Sequence, residues 1–551
     1  MFDVWVPGKQ RVRVRVDGTD HEMVPGHGGW WSCDVPGERY AFLLGDDDTP
    51  LPDPRSLRQP DGVHEASQVY HHDAFAWTDQ EWEGRALEGS VLYELHVGTF
   101  TPGGTFDSAV ERLDHLVGLG IDLVEVLPVN AFDGPHGWGY DGVLWGAVHE
   151  PYGGPDGFKR FVDACHARGL GVVLDVVYNH LGPSGAYLDR FGPYFAKEND
   201  WGPGLNLDES GSDEVRSLIL DNALGWFRHF HVDALRLDAV HALVDTRALT
   251  LLETLSAETE ELARELGRPL SLVAESDLND PRTVASRDRH GLGMTAQWAD
   301  DIHHALHVRL TGETHGYYAD FADPSALSKV MRGAFFHDGT WSSFRGRSHG
   351  RPVDPEELPA SAFLAYLQNH DQVGNRATGD RLTATITPGR QVCGAALVLL
   401  GPFTPMLFMG EEWAASTPWA FFASFPDPQL ADAVRTGRRR EFGSHGWGES
   451  DVPDPMDVAT FEASRLAWAE VQEPGHREVL EAYRALIALR REHAELRDPS
   501  FASLGVHDDG RRIELDRGPF RVVVDLEAET VIVERDGTPV LELSPPAGAT
   551  P

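Results

Sequence analysis

The stretch Ala234-Leu-Arg-Leu-Asp238 is a short apolar run that ends in a carboxylate. The same pattern recurs at Leu272-Val-Ala-Glu275 and at Tyr366-Leu-Gln-Asn-His-Asp371. Runs of about four to six residues rich in Val and Leu, each followed by polar residues, are typical of buried parallel strands that present chemistry at their carboxyl ends. We therefore predict that Asp238, Glu275 and Asp371 lie together at one edge of a parallel sheet.

From residue 91 onward the chain repeats a rhythm of apolar strand, polar loop and amphipathic helix. Eight strands are predicted, near 91–97, 121–127, 171–177, 233–237, 271–275, 295–298, 363–368 and 404–409. Two of the helices between them, 106–117 and 158–168, carry apolar residues with a helical period. Because such alternation favours a parallel sheet and eight strands close a (β/α)8 barrel, the predicted fold class is α/β.

Two smaller β-rich segments flank the predicted barrel. Residues 1–85 are predicted to form a β-sandwich of immunoglobulin-like or carbohydrate-binding-like type, because Arg11-Val-Arg-Val-Arg-Val16 alternates at period two and Gly and Pro turns surround it. The barrel with its long loops then takes residues 86–498, and residues 499–551 form a small antiparallel β domain with Asp-Gly turns at 509–510 and 536–537. Three units agree with a length of 551 residues, which exceeds what one core organises.

The composition excludes several classes of partner. The chain has 87 acidic and 47 basic residues, a formal net charge of −40, which argues against binding nucleic acid or an anionic membrane. No stretch approaches the roughly twenty apolar residues of a membrane span, and residues 1–14 lack a secretory pattern, so we expect a cytoplasmic protein. The three cysteines, Cys33, Cys165 and Cys393, have no paired spacing and are expected to be reduced and mostly buried.

The commonest signatures of nucleotide, zinc and thiol chemistry are missing from the sequence. It has no Walker lysine motif, no HExxH and no CxxC pair. One GxSxG string, Gly346-Arg-Ser-His-Gly350, follows polar residues and precedes Pro352, whereas a nucleophile elbow needs a buried strand before it and a helix after it. We interpret it as a chance match, and we predict no cofactor and no required metal.

Paired carboxylates at strand ends suit the cleavage of an acetal. One ionised carboxylate attacks the anomeric carbon, and one carboxylic acid protonates the leaving oxygen. The three acids therefore point to a barrel that cleaves sugars.

Four short segments carry a resemblance to a known group of enzymes. Asp175-Val-Val-Tyr-Asn-His180, Leu235-Arg-Leu-Asp238, Ala274-Glu275 and Asn369-His-Asp371 resemble, in order and position, the signature regions of the α-amylase superfamily of glycoside hydrolases. Within that superfamily the chain is similar to the maltooligosyltrehalose trehalohydrolases. That similarity lies in Tyr93-Glu-Leu-His-Val-Gly-Thr-Phe100, Gly137-Trp-Gly-Tyr-Asp141, Ala274-Glu-Ser-Asp-Leu-Asn-Asp280 and Phe408-Met-Gly-Glu-Glu-Trp413.

The resemblance implies a role for each acid. Asp238 would be the nucleophile that forms a glycosyl-enzyme, held ionised by Arg236 two residues earlier on the same strand face, although a helix-capping carboxylate or a structural ion pair is the alternative. Glu275, approached by apolar residues, would be the general acid and then the base, unless it is simply an exposed carboxylate. Asp371 would hydrogen-bond sugar hydroxyls in the transition state, or else only cap its own turn.

Further residues match superfamily positions around the sugar being cleaved. His180 and His370 would donate hydrogen bonds as neutral imidazoles, and Tyr140 would stack its ring on the sugar, although ordinary loop histidines and a core aromatic are the alternatives. Asp175 and Asn179 would support the site from the third strand, with Asn179 also a possible calcium ligand.

The leaving side of the site is less well defined. Many α-amylases carry a Lys-His pair that begins where His241 stands, so this position argues against an ordinary amylase. We expect His241, Asp277 and the region of Trp413 to help bind a trehalose unit there. Met456-Asp-Val458 and Ser424-Phe425 differ from the strings usual in the trehalohydrolases, which puts leaving-group contacts in doubt rather than bond cleavage.

The implied reaction is hydrolysis, with retention, of the α-1,4 bond next to the terminal trehalose of maltooligosyltrehalose, which releases free trehalose. Retention predicts that the carboxyls of Asp238 and Glu275 lie about 5 to 5.5 Å apart. The implied pathway partner is maltooligosyltrehalose synthase, which makes the trehalose end. The alternatives are a glycogen branching or debranching enzyme, or another α-amylase-superfamily glucan enzyme, and a glucan-binding barrel without activity.

Overall fold

The computed structural model describes residues 1–199, 201–443 and 452–545. Its centre is a closed barrel of eight parallel strands that follow one another around the barrel in chain order. The predicted (β/α)8 barrel is confirmed. Its strands are β1 Leu92–Leu95, β2 Leu123–Val126, β3 Gly171–Val176, β4 Ala234–Leu237, β5 Ser271–Ala274, β6 Ala296–Trp298, β7 Phe363–Ala365 and β8 Thr404–Phe408.

The inside of the barrel is filled in layers, because alternate residues of a strand face the same side. One buried apolar residue from each strand forms the middle layer: Leu92, Leu123, Val173, Ala234, Val273, Ala296, Leu364 and Met406. Two residues further along, most of the strands present a polar or aromatic side chain: Glu94, Glu125, Asp175, Arg236, Glu275, Trp298 and Tyr366. An apolar layer therefore supports a charged layer at the carboxyl ends of the strands.

An outer ring of α-helices covers most of the barrel. The helices between consecutive strands are Phe106–Val110, Leu113–Leu119, Gly154–His166, Ser212–Phe230, Leu251–Leu266, Asp300–Thr311, Ala326–Gly333 and Pro388–Leu399. After β8 come Pro428–Gly443, Val458–Ala463 and Pro474–Glu492. Short helices Val97–Phe100, Leu188–Phe191 and His370–Gly374, and the hairpins Asn130–Ala131 with Leu144–Val148, Phe195–Asn199 with Gly202–Leu205 and Thr340–Ser342 with Arg347–His349, decorate the loops.

Two parts of the ring differ from the prediction. The helix expected at 106–117 is two helices, with a break at Glu111 and Arg112, although its predicted apolar face is buried. Between β5 and β6 the chain makes only the 3-10 turns Pro281–Thr283 and Arg287–Arg289. This connection is rich in charged residues and glycine and lacks a helical apolar period, so no amphipathic helix forms there.

The amino-terminal segment folds into two small antiparallel sheets. One has the strand order Phe2–Trp5, Trp30–Cys33, Val24–Pro25, and the other has Thr19–Glu22, Val12–Val16, Arg39–Leu44, Ser67–Gln68. The predicted alternation is real, since Val12, Val14 and Val16 are buried in the core. The segment boundary at residue 85 stays a prediction.

The carboxyl-terminal segment is a five-stranded antiparallel sheet with neighbouring strands in chain order, which confirms the predicted antiparallel β structure. Alternate residues such as Ile513, Leu515, Val522 and Val524 are buried. The boundary at residue 498 stays a prediction. The strands are Leu504–Asp508, Arg512–Arg517, Phe520–Asp525, Thr530–Arg535 and Thr538–Leu543.

A linker, residues 70–82, fastens the amino-terminal sheets to the base of the barrel. Asp79 lies 2.8 Å from His166 Nδ1 and 2.8 Å from His231 Nδ1. His166 Nε2 is 3.2 Å from Asp233, the residue that precedes β4, and Trp82 donates a 2.8 Å hydrogen bond to the same aspartate. Since both nitrogens of His166 face carboxylates and its ring stacks on Trp82, this histidine is held as an imidazolium between the linker and the barrel.

The remaining expectations concern the cysteines, the GxSxG string and the membrane. Cys33, Cys165 and Cys393 are free and buried, as predicted. The GxSxG string lies on the exposed hairpin that contains Arg347–His349, so the chance-match interpretation is confirmed. Of the helices in the described ranges, none combines the length and the apolar character that crossing a bilayer requires.

Candidate active site

Asp238 stands directly after β4 and is held by groups from two strands. Arg236 Nη1 donates a 2.8 Å hydrogen bond to Asp238 Oδ1 and also contacts both oxygens of Asp175, at 2.8 and 3.0 Å. Asn179, after β3, donates from Nδ2 to Asp238 Oδ2 at 2.6 Å. The alternative in which Asp238 caps a helix is wrong, because the turn Val240–Ala242 that follows has Ala239 at its N-cap position.

These contacts keep Asp238 ionised. Burial by itself raises the pKa of this carboxyl, but the charge of Arg236 and the hydrogen bond from Asn179 outweigh it, so the pKa lies below its ordinary value. Arg236 is fully buried, and its guanidinium lies against the ring of Trp298, 4.2 Å from the ring centroid. A cation fixed on both sides in this way cannot turn away from the carboxylate.

Glu275 follows β5, the strand next to β4, and its pKa is shifted in the direction opposite to that of Asp238. Its Oε2 accepts a 2.7 Å hydrogen bond from the backbone N–H of Ala239, which has a left-handed φ of 42°. That conformation is strained for a residue with a Cβ, and here it directs an N–H toward the carboxyl. Burial raises the pKa of Glu275 well above its ordinary value, with the charges of Asp238 and Asp371 adding to the effect and Arg236, 3.0 Å away, only partly opposing it.

Asp371 lies in the first turn of the short helix His370–Gly374 after β7. The side chain of Asn369, not that of Asp371, caps this helix by accepting from the backbone N–H groups of Asp371 and Gln372. The Asp371 carboxylate has a side-chain exposure of 36% and is contacted by Asn375 Nδ2 at 3.2 Å. The carboxylate is therefore accessible to a ligand and does not cap its own turn.

Tyr140, His180 and His370 lie around the same cluster. The Tyr140 hydroxyl lies 2.6 Å from Asp175 Oδ2 and 2.8 Å from His370 Nε2, and its ring stacks on that of His370. His180 contacts Asn179 Oδ1 through Nδ1 and the Tyr140 carbonyl through Nε2. Burial lowers its pKa and favours a neutral ring, which donates to only one of these two acceptors. Tyr140 is only partly buried, so its ring is not an ordinary core aromatic.

The expectation of a neutral imidazole is wrong for His370. Burial opposes its charge, but the carboxylates of Asp371 and Glu94 more than offset this and raise its pKa to about 10. Its side chain is only 2% exposed, so it faces the site through Tyr140 and Asp371 rather than through an open surface.

An open cleft of about 560 Å³ adjoins this cluster, with Asp141, His180 and Trp201 among its lining residues. Trp201 is 49% exposed, and its ring is nearly parallel to that of His180, with centroids 6.2 Å apart. An exposed indole beside His180 is a surface on which the apolar face of a sugar ring can stack.

The structure places the three residues predicted for the leaving side differently. His241 Nδ1 is 3.4 Å from the backbone N–H of Asp277, so these two residues are neighbours at the carboxyl ends of β4 and β5, and Asp277 is exposed and ion-paired with Arg345. Trp413 is completely buried, between His115 and Trp468. The expectation for Trp413 is corrected, because a ring enclosed in the core behind β8 cannot contact a sugar.

Sequence reasoning missed Glu94, Glu125, Trp298 and Trp201. Glu94 contacts His370, Glu125 lies beside Glu94 across β1 and β2, and Trp298 covers Arg236. A charged residue in the middle of a four-residue apolar strand, as in Leu92–Leu95 and Leu123–Val126, is the signal that could have found the two glutamates. Trp201 stands in a polar loop where no pattern distinguishes it.

The calcium alternative for Asn179 gains no support. Its amide is engaged at both ends, by Asp238 and by His180, and its backbone carbonyl accepts from Asn199. Within the part of the chain that the structure describes, no group of three or more His, Cys, Asp or Glu side chains has the arrangement of a metal site.

The chemistry that this arrangement permits is a double displacement. An ionised carboxyl and a protonated carboxyl from adjacent strands share one guanidinium, which is the division of labour between a nucleophile and a general acid in retaining glycoside hydrolases. The third carboxylate lies beside them and is open to a ligand.

Comparison with known proteins agrees with this class. The family model described as the catalytic domain of alpha amylase matches residues 68–202. A malto-oligosyltrehalose trehalohydrolase of Arthrobacter ramosus is 55% identical over 560 residues, covering 98% of this chain and 95% of that protein. One of Mycobacterium tuberculosis is 53% identical, covering 99% and 96%. The chain therefore belongs to the malto-oligosyltrehalose trehalohydrolase family of α-amylase-type glycoside hydrolases.

Solved structures agree at the level of the fold. A crystal structure from Salmonella typhimurium, described as that of an alpha amylase, superimposes with a TM-score of 0.89 at 38% identity, covering 97% of this chain and 92% of that one. The pullulanase of Bacillus acidopullulyticus superimposes with a TM-score of 0.68 at 16% identity, covering 96% and 67%, which shows a shared fold only.

Proposed function

We propose that the protein is a retaining glycoside hydrolase that cleaves the α-1,4 bond next to the terminal trehalose of maltooligosyltrehalose and releases trehalose. Asp238 attacks the anomeric carbon, and Glu275 protonates the leaving oxygen. In the second step Glu275 takes a proton from water, which attacks the glycosyl-enzyme and releases the maltooligosaccharide with its configuration retained.

One feature supports this proposal: Arg236 contacts the carboxyls of both Asp238 and Glu275, yet the pKa values of these two groups are shifted in opposite directions. Hydrogen bonds from Arg236 Nη1 and Asn179 hold Asp238 ionised. Arg236 Nη2 lies 3.0 Å from Glu275 Oε2, but the burial of this carboxyl outweighs the charge of Arg236 and favours the acid form. A nucleophile and a proton donor are thus present in the same resting site.

The choice of substrate rests on family membership. The relatives that are 50–55% identical over most of their length carry the name malto-oligosyltrehalose trehalohydrolase. His241 and Asp277, which lie together beyond β4 and β5, are proposed to contact the trehalose leaving group, and Tyr140, His180, Asp371 and His370 to surround the sugar that is attacked.

The test is product analysis on maltooligosyltrehalose, with the maltooligosaccharide of equal length as the matched control substrate. We expect free trehalose from the first and little cleavage of the second, and proton NMR at early times shows the new reducing end as the α-anomer. New α-1,6 linkages would instead make the protein a branching enzyme, and a β-anomer would exclude retention.

The proposal also includes the source of the substrate and the cellular location of the protein. The substrate has to be supplied by an enzyme that converts the reducing end of a maltooligosaccharide into trehalose, which is the activity of a maltooligosyltrehalose synthase. We propose that both enzymes are cytoplasmic. Co-localisation of the two proteins by cell fractionation tests this placement.

A further inference from the structure

Glu94 lies under the active site and holds His370 by two atoms. Its Oε1 is 2.5 Å from His370 Nδ1, and its Oε2 accepts a 2.9 Å hydrogen bond from the backbone N–H of His370. Glu94 is completely buried in β1, so this carboxylate has no water to solvate it. A buried carboxylate of this kind is stable only beside a cation, and the imidazole ring is in direct contact with it.

The other ring nitrogen of His370 also carries a proton. Nε2 is 2.8 Å from the hydroxyl of Tyr140, whose single proton is directed to Asp175 Oδ2 at 2.6 Å. Asp175 is an acceptor there, because Arg236 donates to both of its oxygens. The Tyr140 oxygen therefore accepts from Nε2–H, and His370 donates at both nitrogens, which only an imidazolium can do.

Several other charged or titratable groups face His370. Asp371 Oδ1 lies 3.5 Å from Nε2 and favours the cation, whereas the charge of Arg236 opposes it. The charge of the ring also interacts with Asp175, Glu125 and His96.

Glu125 supplies an internal comparison. It sits beside Glu94 in the adjacent strand, with paired Cα atoms, and it is equally buried. Neither of its carboxyl oxygens has a hydrogen-bond partner among the described residues, and burial next to Glu94 and Asp175 raises its pKa well above the ordinary value. One of the two neighbouring glutamates is thus a charged partner of His370, and the other is a neutral acid.

We propose that Glu94 is a positioning residue, which keeps His370 as a doubly protonated ring and through it fixes Tyr140 and Asp371 at the edge of the sugar pocket. The proposal rests on the proposed function for its kinetic consequence but not for its structural content. His370 links Glu94 in the barrel interior to Tyr140 and to the partly exposed Asp371. Loss of the Glu94 charge leaves the ring free to lose a proton, and the Nε2 donor toward Tyr140 becomes unreliable.

The direct test is ¹⁵N NMR of protein labelled at histidine, with His370→Gln used to assign the signal. In the wild type, both ring nitrogens of His370 are expected to stay protonated from pH 5 to pH 8. In Glu94→Gln the pKa of the ring should fall, so that the ring loses one proton within this pH range. Glu125→Gln, which replaces a neutral acid by a neutral amide in the same layer, should leave the wild-type signal unchanged.

Three results would overturn the proposal: a neutral His370 in the wild type at pH 7, a Glu94→Gln protein whose His370 remains protonated to pH 8, or an equal change in Glu125→Gln. Glu94→Asp keeps the charge and is expected to restore the protonated signal. If Glu94→Gln does not fold, the wild-type spectrum still shows whether His370 is doubly protonated, and a neutral ring there overturns the proposal.

Kinetics add the functional readout. In Glu94→Gln, kcat/KM for maltooligosyltrehalose should fall about tenfold between pH 6 and pH 8 beyond any fall in the wild type, following the loss of one proton from His370. Glu125→Gln should keep the wild-type pH profile, and a parallel profile for Glu94→Gln would contradict the functional role. If the protein proves inactive on this substrate, the NMR result stands alone, so failure of the proposed function is distinguished from failure of this inference.

Discussion

The amide of Asn179 donates a 2.6 Å hydrogen bond to Oδ2 of Asp238, the oxygen that Arg236 leaves unbonded. Each oxygen of this carboxylate therefore has its own donor, one from β4 and one from the loop after β3. This fixes the plane of the carboxyl group and its negative charge, and a nucleophile needs both.

Replacing Asp238 by Asn removes the nucleophile with little change of shape. We expect kcat for maltooligosyltrehalose to fall by several orders of magnitude while binding, measured by calorimetry, is nearly unchanged. Asp46→Asn, an exposed carboxylate of the amino-terminal segment, serves as the control and should retain full activity. Appreciable turnover by Asp238→Asn would mean that another group attacks the sugar.

The pH profile should reflect the opposite shifts of the two catalytic carboxyls. Activity requires Asp238 without its proton and Glu275 with its proton. Because the pKa of Asp238 is lowered, the limb on which kcat/KM increases with pH should lie below about pH 4. Because the pKa of Glu275 is raised well above about 4.3, kcat/KM should stay high at pH values far above the ordinary pKa of a glutamate.

The falling limb of this profile can be assigned with Glu275→Gln. This variant should lose the limb and most of the activity on maltooligosyltrehalose. A glycoside with an acidic phenol as leaving group needs no proton and should retain a much larger fraction of the wild-type glycosylation rate. An unchanged alkaline limb in the variant would assign that limb to a different group.

The charged contact at the base of the barrel predicts a pH-dependent stability. The pKa of His166 is raised by Asp233 and Asp79 despite burial, so its contribution is complete below about pH 6.5 and is lost as the pH rises through the folded-state pKa. The pKa of Asp79 is lowered, so its contribution is present above about pH 4 and is lost at lower pH. His166→Asn should lower the free energy of unfolding by about 3 kcal/mol between about pH 4 and pH 6.5.

Urea unfolding at several pH values measures this difference. It should be largest between about pH 4 and pH 6.5 and should shrink in alkaline solution. His507→Asn, at an exposed position of the carboxyl-terminal sheet, is the matched control and should change little at any pH. If the loss of stability in His166→Asn does not depend on pH, the contact contributes through packing and not through the charge of His166.

Trp413 and Trp201 should respond to truncation in opposite ways. Trp413→Ala opens a cavity in the core and should cost about 3 to 5 kcal/mol of stability with little effect on KM. Trp201→Ala removes an exposed ring from the cleft and should raise KM by up to about tenfold with little effect on stability. Measuring the free energy of unfolding and KM for both variants tests whether Trp413 belongs to the core and not to the substrate site.

The sequence was sufficient for the barrel strands and for the three acids, because each strand is a continuous apolar run and each acid closes one. It was also sufficient for the pairing of Arg236 with Asp238, since two residues along a strand share a face. These inferences use only local periodicity. They hold because the barrel repeats one local pattern eight times.

Other features depend on contacts between distant parts of the chain. The pKa of His370 is raised by Asp371, its neighbour in the sequence, and by Glu94, which is 276 positions away and whose contact with the ring no local pattern around His370 reveals. Trp413 lies in the core because Pro474–Glu492 and the turn at Trp468–Gln472 cover it, whereas its own segment resembles any loop after a strand. The general alternation of strand, loop and helix does not hold between β5 and β6, where the chain makes two 3-10 turns.

The fastening of the linker at Asp79 and Trp82 has a practical consequence for dissecting the protein. A shortened chain that starts at residue 86 would leave Asp233 facing Arg268 and His166 without the Trp82 hydrogen bond, and would uncover His231. The catalytic barrel is therefore expected to be unstable when expressed alone. Truncations meant to isolate it should begin before residue 70.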